Sequence, residues 1–120
     1  MVYYLETKST DPYYNLAFEE YVLTHRTEGD YLLLWQNDNT VVVGRNQNTA
    51  EEINGDFVEK HRINVVRRST GGGAVYHDMG NLNYSFITDA GEKEELSFAR
   101  FTQPVVKALC DLGLPASASG

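Results

Sequence analysis

Residues 67–81 read RRSTGGGAVYHDMGN, bringing two arginines, three consecutive glycines, a histidine and an asparagine close enough together to serve one ligand. Glycine loses more conformational freedom on folding than any other residue and buries no side chain. A strand ending in STGGG therefore gives up stability unless something must approach its backbone closely. Amides with no Cβ beside them suit phosphate or carboxylate oxygens. Neighbours on a strand point to opposite faces, so only one of Arg67 and Arg68 enters such a site. Arg68 is the candidate, because it shares its face with the polar Asn64; Arg67 is left to bridge to a surface acid or to line the cleft.

Two familiar phosphate sites are excluded. No Gly-Lys-Ser/Thr follows the glycines, and the next residues, AVYH, have strand rather than helix character. His77 shares a face with Val75, two residues past the loop, where its imidazole either meets a ligand or hydrogen-bonds within the sheet. His25, His61, His77 and the single Cys110 lack metal-ligand spacing, so any metal would be Mg²⁺ carried in by phosphates. Cys110 lies among apolar residues at helical spacing and reads as a buried structural thiol.

Several elements must position these residues. VYYLE reads as a first strand. TDPYYNLAFEEYVLTHRTEG reads as a helix with Asp11 as cap, Pro12 in the first turn and a stop at Gly29. Helical projection gathers Tyr13, Leu16, Ala17, Tyr21 and Leu23 on one apolar face, with Glu20 inside it and Glu19 beside Asn15 and Arg26. Glu20 is then either a carboxylate bending out at the rim or a polar contact at a pocket wall. YLLLWQ and TVVVGR are rich in β-formers and are joined by the turn formers Asn37, Asp38 and Asn39, which predicts a hairpin. The first of these strands is apolar on both faces, as a central strand is, and Trp35 near its end fits the core or the wall of an apolar ligand.

TAEEINGDFVEKHR reads as a short helical connection and INVVRR as the strand leading into the glycines. In LNYSFIT, Leu82, Tyr84 and Phe86 share one face while Asn83 and Ser85 make the other polar. A wet or liganded surface, or an exposed antiparallel face, accounts for that pattern. ELSFARFTQPVVKALCDLGLP predicts a helix or helix pair with Phe98, Phe101, Val105, Leu109 and Leu112 inward. Pro104 should start a segment or kink one, and Gly113 with Pro115 should end it.

The whole is 120 residues with 42% apolar content, the size of one domain with a real core. A formal net charge of −7 opposes non-specific attraction to nucleic acid or to an anionic membrane surface. No apolar run approaches the length of a membrane span and the N-terminus lacks the features of a secretory signal, so the expectation is a cytoplasmic protein.

RRSTGGGAVYHDMGNLNYSF, together with DPYYNLAFEE, LLLWQNDNTVVVGRNQN and LGLPASASG, closely resembles the N-terminal part of lipoate-protein ligases, in register over essentially the whole chain. The resemblance implies the biotin/lipoate ligase-like fold: an α+β domain with a mixed, largely antiparallel sheet flanked by helices, here incomplete at the C-terminus. Residues 1–120 would form the N-terminal part of a single catalytic domain. It implies ATP-dependent activation of lipoate to lipoyl-AMP, with Mg²⁺ on the phosphates. The lipoyl group would then pass to a lysine of a lipoyl carrier domain, in 2-oxoacid dehydrogenase complexes or in the glycine cleavage H protein. It places ATP at Arg68, Gly73, Ala74, Val75 and Tyr76, lipoate at Trp35, Gly72 and His77, and catalysis at Arg68.

The family continues past a segment like ASASG into a strand bearing a lysine that contacts lipoate and phosphate. The lysines here, Lys8, Lys60, Lys93 and Lys107, have no matching context, so this chain is expected to need a remaining C-terminal part of the enzyme. Two alternatives belong beside the ligase: an octanoyl or lipoyl transferase of the same fold working through a cysteine thioester, and a non-catalytic module that binds lipoate or a nucleotide.

Overall fold

In the computed structural model, which describes residues 1–26, 28–89 and 98–119, the strand Val2–Glu6 (β1) lies parallel to Asp30–Trp35 (β2). The helix Pro12–His25 (α1) connects them, as a parallel pair requires a crossover. Asp11 caps α1 by accepting from the Tyr13 amide at 2.9 Å, and Pro12 occupies the first turn, as the sequence predicts. On its other edge β2 pairs antiparallel with Asn83–Ile87 (β6), so β2 is the centre of a three-stranded sheet. Leu33 and Trp35 on β2 pack with Val22 of α1 and Ile87 of β6, and Leu5, Leu16, Phe18 and Tyr31 close around them.

A second sheet is centred on Thr40–Val43 (β3), parallel to Asn64–Arg67 (β4) and antiparallel to Val75–His77 (β5). Each sheet thus joins one parallel and one antiparallel ladder, giving the mixed α+β architecture. The short helices Thr49–Glu52 (α2) and Gly55–Lys60 (α3) form the β3–β4 connection, each capped by an asparagine side chain, Asn48 and Asn54.

The predicted hairpin is not formed. β2 and β3 lie in different sheets, and the Asn37–Asn39 turn carries the chain from one to the other. Asn37 is fully buried there, and Asn39 takes a left-handed φ of 46°. The buried side of α1 also differs from the helical projection. Pro12, Asn15 and Val22 are buried, while Tyr13, Tyr21 and Leu23 are exposed. The polar Asn15 anchors that face through hydrogen bonds from its amide nitrogen to the carbonyls of Ser9 and Gln36. Glu20 consequently points outward, and Glu19 is the half-buried carboxylate.

Met1–Ile87 and Thr88–Gly120 form two compact units. In the second, Phe98–Asp111 (α4) is one helix with Pro104 inside it, so Pro104 does not start a new segment. Leu109 and Leu112, expected inward, are exposed, as is Cys110, because this unit has no second element to cover that side of the helix among the described residues. Residues 95–97, predicted to open the helix, lie outside the described residues. The stop at Gly113 is as predicted: its φ is 90° and the Leu114 amide closes onto the Leu109 carbonyl. No helix among the described residues is long and apolar enough to cross a membrane.

Candidate functional site

The end of β4 and the residue after it bring two arginines with different work. Arg67 is exposed and gives its guanidinium to the β3–α2 loop: Nη1 donates to the carbonyls of Gly44 (3.0 Å), Arg45 (3.2 Å) and Gln47 (2.7 Å), and Nη2 to Thr49 Oγ1 (2.7 Å). It bridges to carbonyls rather than to a surface acid. Arg68 is half-buried and turns toward the glycine loop, where Nη2 donates to the Gly71 carbonyl at 2.9 Å and the Gly73 carbonyl at 2.7 Å. A trans peptide sets its N–H opposite its C=O, so the amides of Gly72 and Ala74 face away from this guanidinium. The amides of Gly71, Gly72 and Gly73 have no acceptor among the described residues.

The loop is held from the other side by a close backbone approach. The Arg45 amide donates to the Thr70 carbonyl at 2.9 Å, and a Cβ on Gly44 would lie 2.0 Å from the Gly72 carbonyl oxygen. Gly72 itself has a φ of 107°, and a Cβ there would meet Arg68 Nη2 at 2.8 Å. These are the two places where this bend requires glycine.

Arg68 also lines a cleft of about 300 Å³ that opens between the two sheets. Leu16 and Glu19 come from α1, Trp35 from β2, Val42 from β3, Val75 and His77 from β5, and Asn83 and Ser85 from β6. Of the residues expected at the site, Arg68, Trp35, Val75 and His77 converge here. Gly72, Gly73, Ala74 and Tyr76 do not line it, and the three that precede Val75 form the exposed bend at its edge. Tyr76 alternates to the other face of β5, where its hydroxyl donates to Asn39 Oδ1 at 3.1 Å and its ring borders a separate apolar hollow against α3.

The polar face of β6 turns inward. Trp35, buried in the core cluster, donates from Nε1 to Ser85 Oγ at 3.0 Å, and the Ser85 hydroxyl in turn donates to Glu19 Oε2 in a short hydrogen bond. Asn83 Oδ1 accepts from Asn81 Nδ2 at 3.2 Å, leaving the buried Asn83 Nδ2 with no acceptor among the described residues. Such a buried donor is costly unless something accepts from it. The sequence signalled Asn83 and Ser85 by their place on an otherwise apolar strand. Glu19 was missed because tyrosines counted as apolar rotated the projected face by one residue.

His77 is buried against the Trp35 ring edge, centroids 6.3 Å apart, and its Nδ1 lies 3.1 Å from Asn37 Nδ2. Burial holds its imidazole below the usual range, and the nearby positive charge of Arg68 lowers it further. The ring is therefore neutral near neutral pH. Among the described residues no group of three His, Cys, Asp or Glu side chains could hold a metal ion.

A profile of the lipoyl protein ligase A/B catalytic domain matches residues 11–120. Lipoate–protein ligase 1 of Staphylococcus aureus is 52% identical over 112 residues, covering 92% of this chain and 34% of that protein. The bi-partite lipoate protein ligase of Thermoplasma acidophilum, described with its E2 lipoyl domain, superposes with a TM-score of 0.86 at 33% identity over 98% of this chain and 47% of that one. The T. acidophilum protein with bound lipoic acid gives a TM-score of 0.82 at 32% identity, over 98% of this chain and 51% of that one. A lipoate-protein ligase A bound with ATP gives 0.78 at 30% identity, over 99% and 50%. This chain spans about a third of the length of the curated relatives it matches. With its glycine bend, its arginine and its cleft between two mixed sheets, the chain belongs to the lipoyl protein ligase A/B catalytic domain family.

Proposed function

We propose that the cleft takes lipoate and that the glycine bend beside it takes the phosphate of ATP. On this reading the chain, with the remaining C-terminal part of the enzyme, is an ATP-dependent lipoate-protein ligase. It forms lipoyl-AMP in the cytoplasm and transfers the lipoyl group to a lysine of a lipoyl carrier domain, in a 2-oxoacid dehydrogenase complex or the H protein. Relatives named as lipoate-protein ligases, and related structures holding lipoic acid or ATP, support the reading. The observation that carries it is the position of Arg68, between the carbonyls of the bend and the cleft whose wall holds His77 and the unpartnered Asn83 Nδ2.

The chemistry follows from these positions. A carboxylate and the α-phosphate it attacks are both anionic and repel each other, so a fixed guanidinium at their junction lowers the barrier by offsetting charge as the pentavalent phosphorus forms. Arg68 supplies that charge, and the carbonyls of Gly71 and Gly73 hold its guanidinium in a single orientation before any ligand arrives. The outward amides of the bend meet phosphate oxygens, and the backbone of residues 73–76 runs along the nucleotide. Leu16, Trp35, Val42 and Val75 give the aliphatic chain an apolar wall, which also keeps water from the mixed anhydride.

Calorimetric titration with a non-hydrolysable lipoyl-adenylate analogue tests the assignment. Arg68→Ala should weaken binding about 10- to 100-fold, the loss expected for a charge-assisted hydrogen bond of about 1.5–3 kcal/mol. Equal affinity in the substituted and unsubstituted proteins would remove the assigned site.

A further inference from the structure

Asn15, Asn37 and His77 form a buried chain of side chains from α1 through the inter-sheet turn to β5. Its polarity is fixed from one end. Asn15 Nδ2 faces the carbonyl oxygens of Ser9 at 2.9 Å and Gln36 at 2.8 Å, neither of which can donate, and Asn15 Oδ1 accepts from Thr7 Oγ1 at 2.6 Å. The atom of Asn37 that lies 3.0 Å from Asn15 Nδ2 must therefore be its oxygen. Its amide nitrogen is then the group facing His77 Nδ1, and an N–H can only donate.

We infer that Asn37 is a positioning residue that locks His77 in the Nε2–H form, lone pair on Nδ1, so that the ring presents a hydrogen-bond donor and not a base to the cleft. Resting on the ligase reading, that donor serves an oxygen of the lipoyl carboxyl group or of the phosphate joined to it, next to the Arg68 guanidinium. No described residue accepts a hydrogen bond from Nε2, whereas Nδ1 is engaged. The charged groups that share the cleft with the ring are Arg68, beyond β4, and Glu19, on α1. Asn15 and Asn37 are both buried almost completely, a burial that two amides tolerate only when every polar atom is matched, as here.

The ring ¹⁵N shifts of His77, read by long-range ¹H–¹⁵N correlation on the full chain without ligand at neutral pH, test the lock directly. Nε2 should carry the proton. Asn37→Asp keeps an acceptor for Asn15 but replaces the donor facing the ring by an oxygen, so it should move the proton to Nδ1. Titration of both proteins with the lipoyl-adenylate analogue should show about tenfold weaker binding for Asn37→Asp, the worth of one hydrogen bond. A wild-type ring protonated on Nδ1 overturns the inference, and so does a tautomer unmoved by Asn37→Asp. Binding by the wild type that Asn37→Asp does not weaken overturns the donor role. No binding by the wild type, with the tautomers as expected, counts against the ligase reading and leaves the lock standing. The wild-type spectrum alone decides the tautomer should the variant fail to fold.

Discussion

At the scale of single residues, the site is governed by which protons and charges are fixed before a ligand arrives. His77 is the clearest case. Its imidazole is held neutral by burial and then by Arg68, below the ordinary value of 6.5. In the unfolded chain the ring takes up a proton as pH falls through 6.5, while the folded ring resists until a lower pH. The unfolded state then binds more protons, so the protein should lose stability on acidification through that window. Urea midpoints at pH 7.5 and pH 5.5 should differ more for the wild type than for His77→Gln; equal differences would mean the ring titrates alike in both states. This behaviour was not legible in the sequence, which left His77 between a ligand contact and a sheet contact. The structure gives it both kinds of surroundings, because Nδ1 faces into the protein while the ring borders the cleft.

At the scale of elements, local pattern was read well where local physics decides and poorly where distant partners do. The cap of α1, the glycine stop of α4, and the strands themselves follow from residues a few positions apart. The hairpin between β2 and β3 failed because Asn37, Asp38 and Asn39 announce a turn without saying which sheet the chain turns into. That choice belongs to β1 and β6 on one side and β4 and β5 on the other. The outward turn of Glu20 likewise depends on Asn15, a polar residue whose burial is satisfied by the Ser9 and Gln36 carbonyls, by Asn37 and by the Thr7 hydroxyl. The bend between β4 and β5 was legible as a close approach, but not what approached it. Gly44 did, from the end of β3. A Cβ 2.0 Å from the Gly72 carbonyl oxygen cannot be accommodated without moving backbone, so Gly44→Ala should destabilise the fold by about 1–3 kcal/mol or more. It should also weaken analogue binding, whereas Gly55→Ala, open on that side, should leave binding unchanged. A chemical denaturation midpoint for each variant checks the first effect and calorimetry the second.

For the whole molecule, the net charge of −7 makes the local handling of anions the important question, and on the proposed reading Arg68 with the bend answers it. Leu82, Tyr84, Leu112 and Leu114 are exposed, and the curated relatives have about twice as much chain again. On the proposed reading, the catalytic lysine of the family lies in that additional chain. The 120 residues alone should therefore bind the lipoyl-adenylate analogue yet release no pyrophosphate from ATP and lipoate. Pyrophosphate production by the isolated chain at an ordinary enzymatic rate would show that the missing lysine is not needed.

The grip of Arg67 on Gly44, Arg45 and Gln47 has a mechanical corollary. Arg67 at the end of β4 and Arg68 just beyond it each clasp a different loop, and the two loops touch through Gly44 and Gly72, so on the proposed reading a phosphate that shifts one of them tugs on the other. On the proposed reading the approach to α2 then becomes a lever arm of the nucleotide seat, and substitutions there should alter how the seat flexes without ever meeting a ligand.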